Sequence, residues 1–295
     1  GQLRFTYAMT ASISAPDLTD YHLLNAEEKL AQEVKANQFA GLSGYSKYIA
    51  KANNVARGVD TYWLSIPLRT QFNNTHSLSM SGGSDEFRFS IGLRYQNENG
   101  VMKDSYRNVY GANMSLTYHL PGLQISNAVS VNVMERENSP YGSFSTYSQM
   151  LPYETPYHIE TGEVVPKLYL AQRGALSGIS NPLYDVIHAE NKDFGTYTEF
   201  TNNFMVNWNP FHRLSLKGQF SVTKKDENTE KFFSPNSSKY ADPNLSIPEY
   251  DDLGNQTGTT KPSMADRGDL TLTDMSSVNW DAKFQATYSN NWDKH

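Results

Sequence analysis

The 295-residue sequence contains no cysteine, so it can form no disulfide, thiolate metal site or cysteine nucleophile. It has no run of about eighteen apolar residues, which excludes a transmembrane helix but not a membrane barrel, whose strands need only alternation. Charged residues make up 19% of the chain, below the roughly 25% of soluble proteins, so uncharged polar residues supply much of its polarity. The net charge of −6 argues against a nucleic-acid partner.

Motifs for catalysis and for metal binding are also missing. There is no HExxH, and His158 and His188 lie in a tyrosine-rich segment without a spacing that fixes a metal geometry. Four aspartates offer oxygen ligands to a calcium ion but lack the spacing of a known calcium loop. They are Asp251, Asp252, Asp266 and Asp269. The chain is therefore predicted not to be an enzyme and to hold neither a cofactor nor a metal.

What the sequence has in abundance is alternation with a period of two. From Phe87 to Tyr95 every second residue is apolar and the residues between are polar or glycine, which predicts a strand with two unlike faces. Residues 72–81 alternate in the same way, and the turn at 82–85 joins both runs as an antiparallel hairpin. Eight such strands are predicted along the chain, and several reach ten to fourteen residues.

The connections between these strands alternate between short and long. Short turns are predicted at 82–85, 120–122 and 209–212, and long loops at 15–70, 136–193 and 224–274, with a modest loop at 97–104 in the long series. Outer-membrane barrels have tight turns at one end and long external loops at the other. The pattern favours an all-β antiparallel transmembrane barrel, with apolar faces toward lipid and polar faces toward a wet lumen. A large soluble β-sandwich is the alternative.

Two short helices are predicted in the first long loop. The first is capped by Thr19 or Asp20, and Leu23, Leu30 and Val34 form its apolar stripe. Glu33 is assigned to its solvated face, four residues from Lys29, where the two can pair weakly. The second helix is predicted from Tyr45 to Ala56.

The loop at 136–193 is rich in aromatic residues. Its rings offer stacking surfaces for a sugar or a peptide, since tyrosine gives broad apolar area at low entropic cost. These candidates are Tyr141, Phe144, Tyr147, Tyr153, Tyr157 and, further along, Tyr169. The alternative is that the rings pack the loop on itself, on the barrel rim or against a partner. Trp208, Trp280 and Trp292 are assigned to interfacial girdles, with Trp208 and Trp292 on the periplasmic side.

Several segments, in order, resemble the SusC/RagA branch of the TonB-dependent outer-membrane transporters. They are YHLLNAEEKL at 21–30, TYWL at 61–64, HSLSMSGGS at 76–84, IGLRY at 91–95 and NGV at 99–101. The resemblance covers residues 1–125 closely and the remainder by pattern only. Its most specific part is the SGGS hairpin.

This resemblance implies a 22-stranded barrel of the Gram-negative outer membrane, plugged by an N-terminal domain. Residues 1–295 would be part of that one barrel domain, with about eight strands, and both the plug and the C-terminal strands would lie outside it. The start at Gly1 without methionine and the turn-like end agree with a fragment, which alone would not close and would expose two aggregation-prone strand edges.

The implied function is TonB-dependent uptake of oligosaccharides or peptides together with a SusD-like surface lipoprotein. TonB would act through the missing N-terminal region, and lipid would surround the strands. A passive porin or an adhesive outer-membrane barrel is the alternative, and a secreted glycan-binding β-sandwich is a further one.

Overall fold

The computed structural model describes residues 2–172, 175–241, 247–261, 263 and 266–290. Its largest element is an eight-stranded antiparallel sheet in the order β1-β2-β3-β4-β5-β9-β10-β13. The strands are β1 (Arg4–Ser14), β2 (Gln71–Gly83), β3 (Phe87–Asn99), β4 (Tyr106–Leu120), β5 (Leu123–Glu137), β9 (Lys192–Phe211), β10 (Leu214–Phe233) and β13 (Asp269–Tyr288). Each strand pairs with the next large strand along the chain, and β1 and β13 form the two edges.

The register of the sheet collects the apolar residues on one face. Leu78 lies opposite Leu93, Leu93 opposite Ala112, Ala112 opposite Val131, and Val131 opposite Phe200. Because side chains alternate along a strand, the intervening serines, asparagines and arginines occupy the other face. We call the two surfaces the apolar face and the polar face.

No second layer covers the apolar face in the described part of the chain. Leu93 is 51% exposed and Phe284 is 76% exposed, although both are large apolar side chains. A β-sandwich buries such residues between two sheets, so the sandwich alternative is wrong. The fold is all-β and antiparallel, with a single large sheet of the kind that forms part of a barrel.

The apolar run has the same length in the central strands. Five alternate positions carry it from Phe87 to Tyr95 in β3 and from Tyr110 to Tyr118 in β4, and the run from Leu214 to Val222 in β10 has four apolar side chains with Gly218 between them. At about 3.3 Å per residue, nine residues span roughly 27 Å along the strand. The equivalent runs in β5 and β9 are each interrupted once, by Asn127 and Asn202.

Turns and long connections lie at opposite ends of the sheet. Residues 84–86, 121–122 and 212–213 form the short turns, whereas the first (15–70), second (138–191) and third (234–268) long connections lie at the other end, with residues 100–105 beside them. The loop predicted at 224–274 is therefore too long, because β10 continues to Phe233 and β13 already begins at Asp269.

Residues 224–233 of β10 cannot be recognised as a strand from hydrophobic alternation, because many of them are charged. Their backbone pairs with β9 and β13 throughout, and ion pairs link Lys225 to Glu199 at 3.1 Å and Lys231 to Asp193 at 3.5 Å. Both faces are charged here, so the period-two signal is lost while the backbone hydrogen bonds continue.

The long connections carry their own small elements. The first contains α1 (Ala26–Lys35), α2 (Gly41–Ala56) and a 3₁₀ turn (Trp63–Ser65). The second contains α3 (Phe144–Ser148), β6 (Thr155–Tyr157), β7 (Val164–Gln172), β8 (Ala175–Ser180) and α4 (Pro182–His188). The third contains a 3₁₀ turn (Ser238–Ala241), β11 (Ile247–Tyr250) and β12 (Gln256–Thr260). Among the described residues no helix combines the length and apolar character needed to cross a membrane.

The first helix begins later than predicted. Thr19 does not cap it, because its backbone N–H and hydroxyl both donate to Asp17, at 3.0 and 2.6 Å. Asn25 caps α1 instead, and Glu28 completes a capping box. The second helix begins at Gly41, four residues before the predicted start at Tyr45.

Candidate functional site: the packed connections

The second long connection is bound to the first by three consecutive carbonyl groups. The oxygen of Leu151 accepts a hydrogen bond from the indole Nε1–H of Trp63 at 2.9 Å. The oxygen of Pro152 accepts from the backbone N–H of Thr61 at 2.8 Å. The oxygen of Tyr153 accepts from the side-chain amide of Asn54, also at 2.8 Å. We call residues 151–153 the clasp.

Beside the clasp lies a small apolar core. This core consists of the buried residues Trp63, Tyr147 and Leu168, and the partly buried Tyr141 packs against them. The ammonium of Lys103 lies 5.5 Å from the centroid of the Tyr141 ring, a favourable cation–π distance. The interior of this protein is thus in its long connections rather than under the sheet.

A buried polar cluster completes this interface. One carboxylate oxygen of Glu33 accepts from the Tyr153 hydroxyl at 2.8 Å, and the other accepts from the ammonium of Lys51 at 2.8 Å. The Lys51 ammonium also lies 4.6 Å from the centroid of the Tyr153 ring. Burial, followed by the hydrogen bond to Glu33, raises the pKa of Tyr153, so its hydroxyl stays a donor.

Glu154 lies next to this cluster and is 2% exposed. Burial is the main cause that raises its pKa to about 7; the negative charge of Glu33 adds to the rise, whereas the Leu151 backbone and Lys51 oppose it. Sequence reasoning missed the cluster. Glu33 was assigned to a solvated face with Lys29, but it is buried and pairs with Lys51, a contact that only the packing of α1 on α2 creates.

The aromatic residues predicted to bind substrate occupy different environments. Tyr147 is 1% exposed and Tyr153 is 0% exposed, so both rings pack inside the connections. Tyr141 and Phe144 are half-buried, and Phe144 contacts the ring of Tyr21 edge-on at 5.9 Å between centroids. Tyr157 is 47% exposed. The side chain of Tyr169 and the whole of Trp292 lie outside the described residues.

Two clefts open beside these groups. The inter-connection cleft, of about 410 Å³, separates the segment before α1 from the segment before the clasp; its lining includes His22, Lys29, Asp60, Tyr62 and Gln149. The sheet-end cleft, of about 580 Å³, lies at the long-connection end of β9 and β10; its lining includes Ser139, Pro140, Asp193, Lys231 and Phe233. Both combine charged groups with an aromatic ring, which suits a ligand of mixed polarity.

The aspartates considered for calcium do not come together. Asp251 accepts from the backbone N–H groups of Leu253 and Asn255 in its own turn, at 2.9 and 2.8 Å. Asp269 pairs with Lys239 at 2.6 Å. Across the described ranges there is no group of three or more histidines, aspartates or glutamates that could hold a metal ion.

On the polar face, long side chains lie across positions that lack a side chain of their own. Arg94, Gln96, Glu98 and Arg107 form a continuous hydrogen-bonded row over β3 and β4. A Cβ atom at Gly195 would meet the guanidinium of Arg136 at 3.0 Å. The face is therefore a hydrophilic surface whose charges are held in place by neighbouring side chains.

Comparison with known proteins gives a fold-level match. No family model matches the chain, and no curated protein matches it. Among solved structures, a chain of the RagAB peptide importer in its closed-closed state aligns with a TM-score of 0.71 at 16% identity, covering 99% of this chain and 33% of that one. The open-open state gives 0.69 at 16% identity, with 98% and 32% covered. A structure described as the RagAB peptide transporter gives 0.61 at 13% identity, with 97% and 40% covered.

These identities are low, so the likeness concerns the fold. This chain spans about a third of the length of the importer chains that it matches. The alignment nevertheless extends over 99% of this chain. The chain has a RagA/SusC-like fold, in the form of a partial barrel.

Proposed function

We propose that this chain is part of an outer-membrane importer that takes up peptides or oligosaccharides through a TonB-dependent barrel capped by a SusD-like lipoprotein. The observation that carries the proposal is the alignment of 99% of the chain with one third of a peptide importer chain. Because that neighbour is a peptide importer, a peptide is favoured over an oligosaccharide as the class of substrate.

The apolar face supports a position in a membrane. Its run of roughly 27 Å along a strand, tilted by about 40°, gives a height of about 21 Å, close to the apolar band of about 25 Å on membrane barrels. Tyr95 and Tyr110 lie at the long-connection end of the run, and Phe87 and Tyr118 at the turn end. Aromatic residues at both ends are typical of the two interfaces of a barrel with lipid and water.

The polar face and the long connections would then have separate roles in transport. The polar face would line the lumen, and the connections would reach into the medium, where they meet the substrate and the lipoprotein. Among the aromatic residues predicted to bind substrate, Tyr157, Tyr141 and Phe144 have rings that are at least partly exposed and would contact a ligand. Tyr147 and Tyr153 would act indirectly, by holding the second connection against the first.

The position in the membrane is tested by single cysteines in the complete transporter, since this part of it has none. Leu93→Cys on the apolar face and Ser90→Cys on the polar face of the same strand form a matched pair. A membrane-impermeant maleimide is expected to label Ser90→Cys and to leave Leu93→Cys unmodified, while brominated lipid quenches a fluorophore attached at Leu93→Cys. Equal labelling of both cysteines would contradict the proposal.

Transport is tested separately in cells. Deleting the complete gene is expected to abolish uptake of labelled peptides, and deleting the gene for TonB is expected to do the same. Uptake that survives loss of TonB would favour the passive porin instead. Uptake of oligosaccharides without uptake of peptides would change the class of substrate and leave the importer in place.

A further inference from the structure

The interface between the first and second connections buries more negative charge than it can neutralise. Two carboxyl groups, Glu33 and Glu154, are 5% and 2% exposed, and both lie beside Lys51. The ammonium of Lys51 donates to Glu33. One cation therefore faces two acids in a largely buried region.

Glu154 is the acid whose carboxyl group is only partly satisfied, by a hydrogen bond from the Leu151 backbone. Its Oε2 atom is buried and has no hydrogen-bond partner, whereas both oxygens of Glu33 are occupied by Tyr153 and Lys51. The groups that face Glu154 are Glu33 from α1, Lys51 from α2, and Tyr153 and the Leu151 backbone from its own segment. An ionised carboxylate in such a place is strongly disfavoured relative to its neutral form.

We propose that Glu154 is a proton-sensitive latch between the two connections. With a proton on Glu154, the cluster carries no net charge and the clasp stays closed on Trp63, Thr61 and Asn54. When Glu154 ionises, the cluster gains an unbalanced negative charge, and the second connection moves away from α1 and α2. The inter-connection cleft, which Leu151 and Pro152 help to line, opens with it.

The direction of the pH dependence follows from the sign of the shift. The pKa of Glu154 is raised from 4.5 to about 7 in the packed state. A raised carboxyl pKa makes the packed state most stable below the pKa of the unpacked state. That advantage decreases as the pH rises from about 4.5 to about 7. Above about 7 the packed protein also loses its proton on Glu154, and the balance no longer changes with pH.

The test is hydrogen–deuterium exchange of the complete protein at pH 5 to 8.5, corrected for the intrinsic pH dependence of amide exchange. In the wild-type protein, protection of residues 26–35, 41–56 and 151–157 is expected to fall with increasing pH, by up to about tenfold per unit, and to level off above about pH 7. Protection of β3 and β4 is expected to stay constant.

Two variants isolate the carboxyl group. Glu154→Gln mimics the protonated side chain and is expected to remain protected at pH 8.5, with no pH dependence in the three segments. Glu160→Gln, an exposed carboxyl in the same connection, is the control and is expected to behave like the wild type. Infrared spectra at pH 5.5 are expected to contain the band of a buried protonated carboxyl that Glu154→Gln lacks.

The proposal is overturned if protection of the three segments is unchanged across this pH range in the wild type. It is also overturned if Glu154→Gln keeps the wild-type pH dependence, or if the infrared spectra of the two proteins are identical. None of these measurements depends on what the protein transports, so the latch can fail while the proposed importer stands.

Discussion

The side-chain amide of Asn202 donates a hydrogen bond to the carboxamide oxygen of Asn127 at 3.0 Å, on the apolar face of the sheet. The two residues are the interruptions in the apolar runs of β5 and β9, and they come from neighbouring strands. In water either amide would be satisfied by solvent and the contact would matter little. Facing lipid, each amide needs the other, because an unpaired polar group in hydrocarbon has no alternative partner.

This pairing predicts that a single substitution is worse than a double one. Asn127→Leu is expected to destabilise the protein in a bilayer by about 1 kcal/mol, because it leaves the amide of Asn202 without a partner. Asn127→Leu/Asn202→Leu is expected to recover the loss. The measurement is denaturant unfolding of the complete protein in lipid vesicles.

The matched control is the pair of Asn97 and Asn108, at 2.7 Å, which lies beyond the apolar run toward the long connections. There Asn97→Leu is expected to have a smaller effect, since water can replace the lost partner. A double variant at positions 127 and 202 that is no more stable than the single one would show that the two amides are not coupled.

How much of this structure can be predicted from the sequence depends on which interactions stabilise each strand. Between Phe87 and Tyr95 one face is apolar and the other polar, so the residue pattern itself predicts the strand and its orientation. From Lys224 to Phe233 the strand depends on backbone pairing and on ion pairs with β9, which the order of residues does not reveal. Hydrophobic alternation therefore predicts the apolar run of each strand but not the charged part of β10.

The candidate site was less accessible to sequence reasoning for a related reason. The aromatic residues of the second connection are predicted from the sequence to bind substrate, because tyrosines suit recognition. In the structure, however, Tyr147 and Tyr153 are enclosed by residues of the first connection. Glu33 and Glu154 are separated by more than a hundred residues, and only the tertiary packing of α1 and α2 against the clasp brings them together. Helical spacing placed Glu33 on the surface, as it would be in an isolated helix.

Loss of the hydroxyl group is expected to affect stability differently at the two buried tyrosines, Tyr153 and Tyr147. Tyr153 donates to the carboxylate of Glu33, so Tyr153→Phe is expected to cost about 2 kcal/mol in the stability of the connections. The hydroxyl of Tyr147 is buried and has no hydrogen-bond partner, so Tyr147→Phe is expected to be neutral or stabilising. Hydrogen exchange of residues 141–157 in the complete protein measures both. Equal losses would contradict the assignment of the two hydroxyls.

Trp63 is expected to stabilise the clasp through its indole N–H as well as its ring. Trp63→Phe keeps an aromatic ring in the core but leaves the carbonyl of Leu151 without its donor, at an expected cost of about 1 to 3 kcal/mol. Faster limited proteolysis within residues 138–163 is the readout. Trp208→Phe is the control, because Trp208 lies on the exposed apolar face far from the connections. It is expected to leave the proteolysis rate unchanged, and equal acceleration by both variants would contradict the role of the hydrogen bond.

The hairpin between β2 and β3 requires glycine at position 83. Gly83 has a φ of 132°, a conformation that L side chains rarely adopt, and a Cβ atom there would collide with the backbone at Phe87 and Arg88. Gly142 also has a positive φ, of 74°, but no atom lies within 4 Å of the position of its Cβ. The two glycines thus separate the cost of backbone conformation from the cost of collision.

Gly142→Ala is expected to destabilise the protein by about 1 kcal/mol, the conformational cost alone. Gly83→Ala is expected to cost at least about 2 kcal/mol, because the turn must also move away from Phe87 and disturb the register of the two strands. Denaturant unfolding of both variants of the complete protein, together with hydrogen exchange in β2 and β3, measures the difference. If Gly83→Ala is no worse than Gly142→Ala, the turn can relax, and its SGGS sequence is not required by the geometry of the hairpin.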